Sequence, residues 1–138
     1  EYIFYIFIDM IKKSKYAKKY LSIKQLKSLF LRLIKLIIEL NNNEIASLNI
    51  AFSDGKTIIS TRFINSDNED PPSLYYSQGD YLIKKKKSIL MNNLNSNDSI
   101  IISSEPINND LRQWKIIPKN NLIIVSKNKN IRLEKIII

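Results

Sequence analysis

Apolar positions follow two different rhythms along this chain. Up to residue 43 they recur at helical spacing, and beyond it they alternate or form short runs broken by turn residues. Tyr2, Ile3, Phe4, Phe7, Ile8 and Ile11 predict a first helix running into the basic stretch Lys12-Lys13-Ser14-Lys15-Tyr16-Ala17-Lys18-Lys19, whose cations suit a helix C-terminus. Ser22-Ile23-Lys24-Gln25 has the spacing of a capping box and opens a second, longer helix. Leu26, Phe30, Leu33, Ile37 and Leu40 form its stripe, which Leu29, Leu31, Ile34, Leu36 and Ile38 widen beyond what an open surface tolerates. Burying each such residue contributes ~1.5–3 kcal/mol, so this helix is expected to pack on another helix and a sheet at once. Asn41-Asn42-Asn43 ends it.

The stretch from Ser47 to Phe63 places two β-favouring runs around Asp54-Gly55, the pair a two-residue type I′ turn requires. That register sets Ser53 opposite Lys56 and puts Leu48, Ile50 and Phe52 on one face with Thr57, Ile59 and Thr61. The other face reads as small and polar. Pro71-Pro72 closes a polar, acidic loop and excludes a helix interior or central strand there. Ser73 to Ser77 reads as a short strand. The run from Lys84 to Lys87 reads as a solvated charge cluster, and residues 92–98 as a low-complexity Asn/Ser loop. Ser99 to Ser104, nearly continuously apolar, is expected inside a sheet. Trp114 and Pro118 lead into a second hairpin, Leu122 to Val125 with Ile131 to Ile137, turned through Lys127-Asn128-Lys129-Asn130 on left-handed Asn residues. Two helices followed by hairpin-connected strands make an α+β fold with antiparallel sheet, divided at 1–43 and 44–138.

The 138 residues fit one domain. They include no Cys and no His, which removes thiolate nucleophiles, disulfides, histidine bases and most zinc sites from this stretch. Neither a metal nor a cofactor is expected. The net charge of +9 raises the possibility of a basic nucleic-acid-binding module, but the cations are mostly Lys, with Arg only at 32, 62, 112 and 132, and geometric phosphate recognition favours Arg forks. No segment reaches the ~18 consecutive apolar residues of a membrane span, so neither nucleic acid nor membrane is the expected partner. A cytoplasmic location is the default. The chain opens on Glu1 rather than Met, so a fragment or processed product is expected. Glu105, at the end of an apolar strand, is the one acidic position singled out.

Four stretches carry a resemblance: Ser47-Leu48-Asn49 through Ser53-Asp54-Gly55 to Thr61-Arg62-Phe63; Pro71-Pro72-Ser73-Leu74-Tyr75-Tyr76-Ser77; Ser103-Ser104-Glu105-Pro106; and Trp114 to Leu122. Collinear over roughly residues 45 to 125, they resemble the later part of class II glutamine amidotransferase domains. The resemblance is nearest to the fungal glutamine-amidotransferase-like subunits of the alternative glutathione-degradation complex, with bacterial γ-glutamyl hydrolases of ergothioneine synthesis further off. It implies part of a four-layer αββα sandwich with an N-terminal cysteine nucleophile, the cysteine's own α-amino group as base, and an Asn-Gly oxyanion hole, all upstream of Glu1. It further implies a γ-glutamyl substrate, glutathione or glutamine, and a peptidase-like partner subunit. No catalytic residue carries over. What carries over is scaffold: Asp54 and Gly55 as the hairpin turn, and Arg62 with Ser104 and Glu105 as strand ends of the family's second sheet. A catalytically dead scaffold homologue is the remaining alternative.

Overall fold

The computed structural model describes residues 1–16, 20–79, 81–84, 87–90, 99–108 and 110–138. Parts of the expected basic helix end (residues 17–19), the middle of the lysine run (85 and 86) and the Asn/Ser loop (92–98) lie outside the described residues. Helix α1 spans Tyr2–Lys13 and α2 spans Ile23–Leu40. The capping box is formed in full: the Gln25 amide donates to Ser22 Oγ at 3.3 Å and the Ser22 amide donates to Gln25 Oε1 at 2.9 Å. Helix α2 ends where Asn42 and Asn43 take the left-handed conformation, at φ 53° and 59°, which Asn tolerates better than most residues.

The strands are β1 Ser47–Leu48, β2 Ala51–Ser53, β3 Ile58–Ile64, β4 Tyr75–Gly79, β5 Tyr81–Lys84, β6 Lys87–Leu90, β7 Ser99–Ser103, β8 Lys115–Ile116, β9 Asn121–Val125 and β10 Ile131–Lys135. Every pairing among the described residues is antiparallel. One sheet runs β1-β3-β9-β10, with β2 also on β3; a second runs β7-β4-β8; β5 and β6 form a separate hairpin.

Alternation along β9 explains how the layers stack. Leu122 and Ile124 point into a core with Phe7, Leu26, Leu29, Phe30, Leu33 and Ile34 of the helices, whereas Ile123 and Val125 point the other way, into a cluster with Leu74, Tyr76, Ile100, Ile102 and Ile117. The first sheet is therefore covered by the helical pair on one face and by the second sheet on the other, an α-β-β arrangement. The wide apolar sector of α2 is accounted for by its simultaneous packing on α1 and the sheet. Phe7 sits edge-on to both Phe30 and Phe52, with ring centroids 5.4 and 4.8 Å apart, locking helix pair and hairpin together.

Several local expectations are corrected. Phe52 pairs with Ile59 and Ser53 with Ile58, so the turn is centred on Gly55 and Lys56, two register positions from the Asp54-Gly55 centring. The cause is the Asp54 carboxylate, which accepts from the Lys56 and Thr57 amides at 2.9 and 2.7 Å and takes over the bonding of a backbone carbonyl. An even shift leaves every side chain on its expected face. The small, polar face of β3 is nonetheless largely covered, with Ser60 only 1% exposed and Ile58 and Arg62 half-buried. Strand β4 begins two residues later than expected, at Tyr75. Strand β7 lies at the edge of its sheet among the described residues and is half-buried throughout. The left-handed residue of the β9–β10 turn is Lys129, at φ 60°, rather than an Asn.

Candidate functional site

The four stretches that carry the resemblance meet at one place, the joint where the second sheet is fastened to the first. Strands β1 and β2 follow a common register along β3, with Leu48 opposite Phe63 and Ala51 opposite Ser60. The ladder is interrupted between them at Asn49 and Ile50. Thr61, fully buried, fills the interruption: its hydroxyl donates to the Leu48 carbonyl at 2.8 Å and accepts from the Ile50 amide at 3.3 Å.

The same register sets Asn49 opposite Arg62. Asn49 Nδ2 donates to the carbonyls of Pro72 and Ser73 at 3.0 and 3.1 Å. The Arg62 guanidinium donates through Nε to the Pro72 carbonyl, through Nη2 to the Pro71 carbonyl and through Nη1 to the Ile117 carbonyl, each at 3.1 Å. Proline offers a carbonyl and no amide, so a donor-rich side chain is the natural partner for a Pro-Pro pair. Ser73 Oγ continues the chain of bonds to the Ser104 carbonyl at 2.8 Å, and the Ile117 amide donates to the Leu74 carbonyl at 2.8 Å. Arg62 itself lies on β3 of the helix-backed sheet, while Ser104 follows β7 of the second sheet.

Beside the joint, Lys119 Nζ donates to the carbonyls of Asp67, at 3.2 Å, and Glu69, with the Asp70 carboxylate at 3.9 Å. The acidic loop before Pro71 is thereby drawn against the start of β9. Leading into β8, Asp110 accepts from Arg112 Nε at 2.8 Å and Nη2 at 3.1 Å, and from Gln113 Nε2 at 3.0 Å. The Arg112 hydrogen bond holds the Asp110 carboxyl below the usual carboxylate range and raises Arg112 in turn. Trp114, buried, donates through Nε1 to Asn108 Oδ1 at 2.9 Å.

Of the residues marked by the sequence, Arg62 and Ser104 belong to this joint. Asp54 and Gly55 sit at the far end of β3, in the hairpin turn, and Glu105 is exposed. Asn49, Ser73 and Lys119 lie within the motif stretches, which assign them no role. No sequence signal sets Asn49 apart: it holds a regular polar place in the Leu48-to-Phe52 alternation, and only the interrupted ladder opposite Arg62 reveals its role. A recess of about 220 Å³ lies between α1 and β2, lined by aromatic and aliphatic side chains with Glu1 at its margin. No group of His, Cys, Asp and Glu able to hold a metal occurs among the described residues. No helix among them is long and apolar enough to cross a membrane. The arrangement can orient and stiffen two sheets; the nucleophile and base of an acyl-transfer reaction are not among its side chains.

The similarity of this chain is to the glutamine amidotransferases, as the four stretches imply. Among characterised sequences it falls on a protein of Saccharomyces cerevisiae described as a probable glutamine amidotransferase, DUG3, at 29% identity over 82 residues, covering 58% of this chain. The chain spans only 23% of that relative's length. A solved structure, of a glutamine aminotransferase class-II domain protein from Silicibacter pomeroyi, aligns with 93% of this chain and 58% of its own at 15% identity and a TM-score of 0.49. No family model matches the chain.

Proposed function

We propose that this chain is the later part of a single class II glutamine amidotransferase domain, of the four-layer αββα type, in a protein that hydrolyses a γ-glutamyl bond. Residues 1–43 supply the helical layer and residues 44–138 the paired sheets. The substrate assigned is glutathione, and the setting is glutathione catabolism in the cytoplasm beside a peptidase-like partner subunit. The observation that carries this reading is the 82-residue similarity to DUG3. The α-β-β stacking and the convergence of all four motif stretches on one joint support it.

In this reading a cysteine at the mature N-terminus, outside these residues, attacks the γ-carbonyl as a thiolate. Its α-amino group passes the proton to the departing amine, and water then hydrolyses the thioester to release glutamate. The contribution of the present residues is to fix the sheets against which that site is built, through Arg62, Asn49 and Ser104. Asp54 and Gly55 shape the opposite turn, and Glu105 marks the end of β7.

The test is free glutamate released by the full-length protein from its source, given glutathione or glutamine, with and without a thiol-alkylating reagent. Glutamate from glutathione, abolished by alkylation, is the expected result. Release from glutamine alone reassigns the substrate. Release from neither, by a protein whose N-terminal residue is not Cys, leaves the scaffold reading. A nucleic-acid module would instead bind oligonucleotides with an affinity falling steeply with salt.

A further inference from the structure

The geometry points to an anion site at the end of β3 remote from Arg62, a groove that takes a small phosphate monoester. The β2–β3 turn, the β9–β10 turn and the first residues of β7 enclose a space of about 240 Å³. Three residues lining it are lysines, Lys56, Lys127 and Lys129, and among the described residues no carboxylate lines it. Asp54, the acid of the first turn, is committed to the Lys56 and Thr57 amides. Lys56 Nζ also lies over the ring of the exposed Tyr20, 3.8 Å from its centroid.

Hydroxyl donors complete the set. Ser53 Oγ accepts from the Gly55 amide and Ser126 Oγ accepts from the Asn130 amide, each at 3.2 Å. An oxygen fixed as an acceptor keeps its own hydrogen available to donate, so both hydroxyls can bond an anion in the groove, with Ser99 opposite. Ile58, Ile100 and Val125 form the apolar floor. Ammonium groups, hydroxyl donors and an apolar wall together suit a doubly charged phosphate carrying an organic group. Inorganic phosphate would leave the floor unused, and a polyanion needs a longer track than two turns provide. This inference does not rest on the proposed amidotransferase activity.

The experiment is calorimetric titration of the full-length protein with phenyl phosphate at fixed ionic strength, alongside inorganic phosphate and a K56Q/K127Q variant. Saturable binding is expected, tighter for phenyl phosphate than for inorganic phosphate, and weakened at least tenfold in the variant. Lys24→Gln, which removes a charge on the exposed side of α2, should leave affinity unchanged. The proposal is overturned if the wild-type protein shows no saturable binding, if inorganic phosphate binds as tightly, or if Lys24→Gln weakens binding as much as the double variant. Circular dichroism of each variant verifies that it is folded.

Discussion

Asn49, in the break between β1 and β2, lies opposite Arg62 of β3, and the two share one acceptor, the Pro72 carbonyl, at 3.0 and 3.1 Å. Because Arg62 also bonds the Pro71 and Ile117 carbonyls, one guanidinium ties the Pro-Pro loop and the β8–β9 connection to β3. Hydrogen bonds with a charged partner contribute more than neutral ones, and a planar fork with several fixed donors cannot be reproduced by an ammonium. Arg62→Lys is therefore expected to destabilise the fold by on the order of 2 kcal/mol despite keeping the charge. Urea unfolding checks this, and an unchanged midpoint would remove Arg62 from the joint.

Gly55 is held at φ 81°, and an added Cβ would meet nothing within 4 Å. The cost of Gly55→Ala is then backbone strain alone, about 1 kcal/mol. Gly55→Asn should recover much of it, since Asn tolerates this region. Thermal melts of the two variants separate strain from packing: if both lose stability equally, an unseen contact is involved.

The carboxylate of Asp54 tests the reason for the altered register. It accepts from the amides of Lys56 and Thr57, and Thr57 is buried, so Asp54→Ala strands an amide that water reaches poorly. A loss of about 1–2 kcal/mol is expected, with Asp54→Asn close to wild type because its carbonyl oxygen can still accept. Urea titration of the pair decides whether the carboxylate shapes the turn.

What could be read from the sequence follows from which residues decide each feature. Helix α2 was legible because Ser22, Gln25 and the Leu26-to-Leu40 stripe all act within a few residues of one another. The hairpin faces were legible and its register was not, since the Asp54 side chain moves the turn centre by one residue and the cross-strand pairing by two, which preserves side-chain parity. Ser60 falls on the face that reads as polar, and only the assembled layers show it buried; Thr61 falls on the apolar face, and what the sequence does not show is that its hydroxyl mends a broken ladder. The run Ile100-Ile101-Ile102 fitted an inner strand, yet among the described residues β7 is an edge, and a short apolar run does not distinguish the two. The joint itself depends on contacts between residues as distant in sequence as Arg62 and Ile117; family resemblance located its parts, but no local pattern could join them.

The Asp110–Arg112 pair gives a pH-dependent signal. The folded-state pKa of Asp110 is depressed, chiefly by the Arg112 hydrogen bond, so its contribution is complete above the ordinary carboxylate range and is lost as pH falls through the lower folded value. Gln113 links Asp110 to Asn108, the partner of the buried Trp114 indole. Acidification below the usual carboxylate range should therefore shift Trp114 fluorescence before global unfolding. Asp110→Asn should remove that early transition; its persistence in the variant would assign the signal to another acid.

Helix α1 carries the last prediction. Tyr2, Phe4 and Tyr5 are 84%, 55% and 61% exposed within its first turn or so, beside the apolar recess against β2, and contiguous apolar patches of this kind mark surfaces that another structure covers. If these residues form part of a larger amidotransferase domain, residues 1–138 in isolation should bind a hydrophobic dye and self-associate, whereas the full-length protein should do neither. Replacing Tyr2 and Tyr5 with Lys removes apolar surface that does not line the recess. The double variant should therefore lower dye binding several-fold with an unchanged far-ultraviolet circular dichroism spectrum. A monodisperse, cooperatively melting 138-residue monomer without dye binding would mean that this helix end needs no cover, and would count directly against its place in a larger domain.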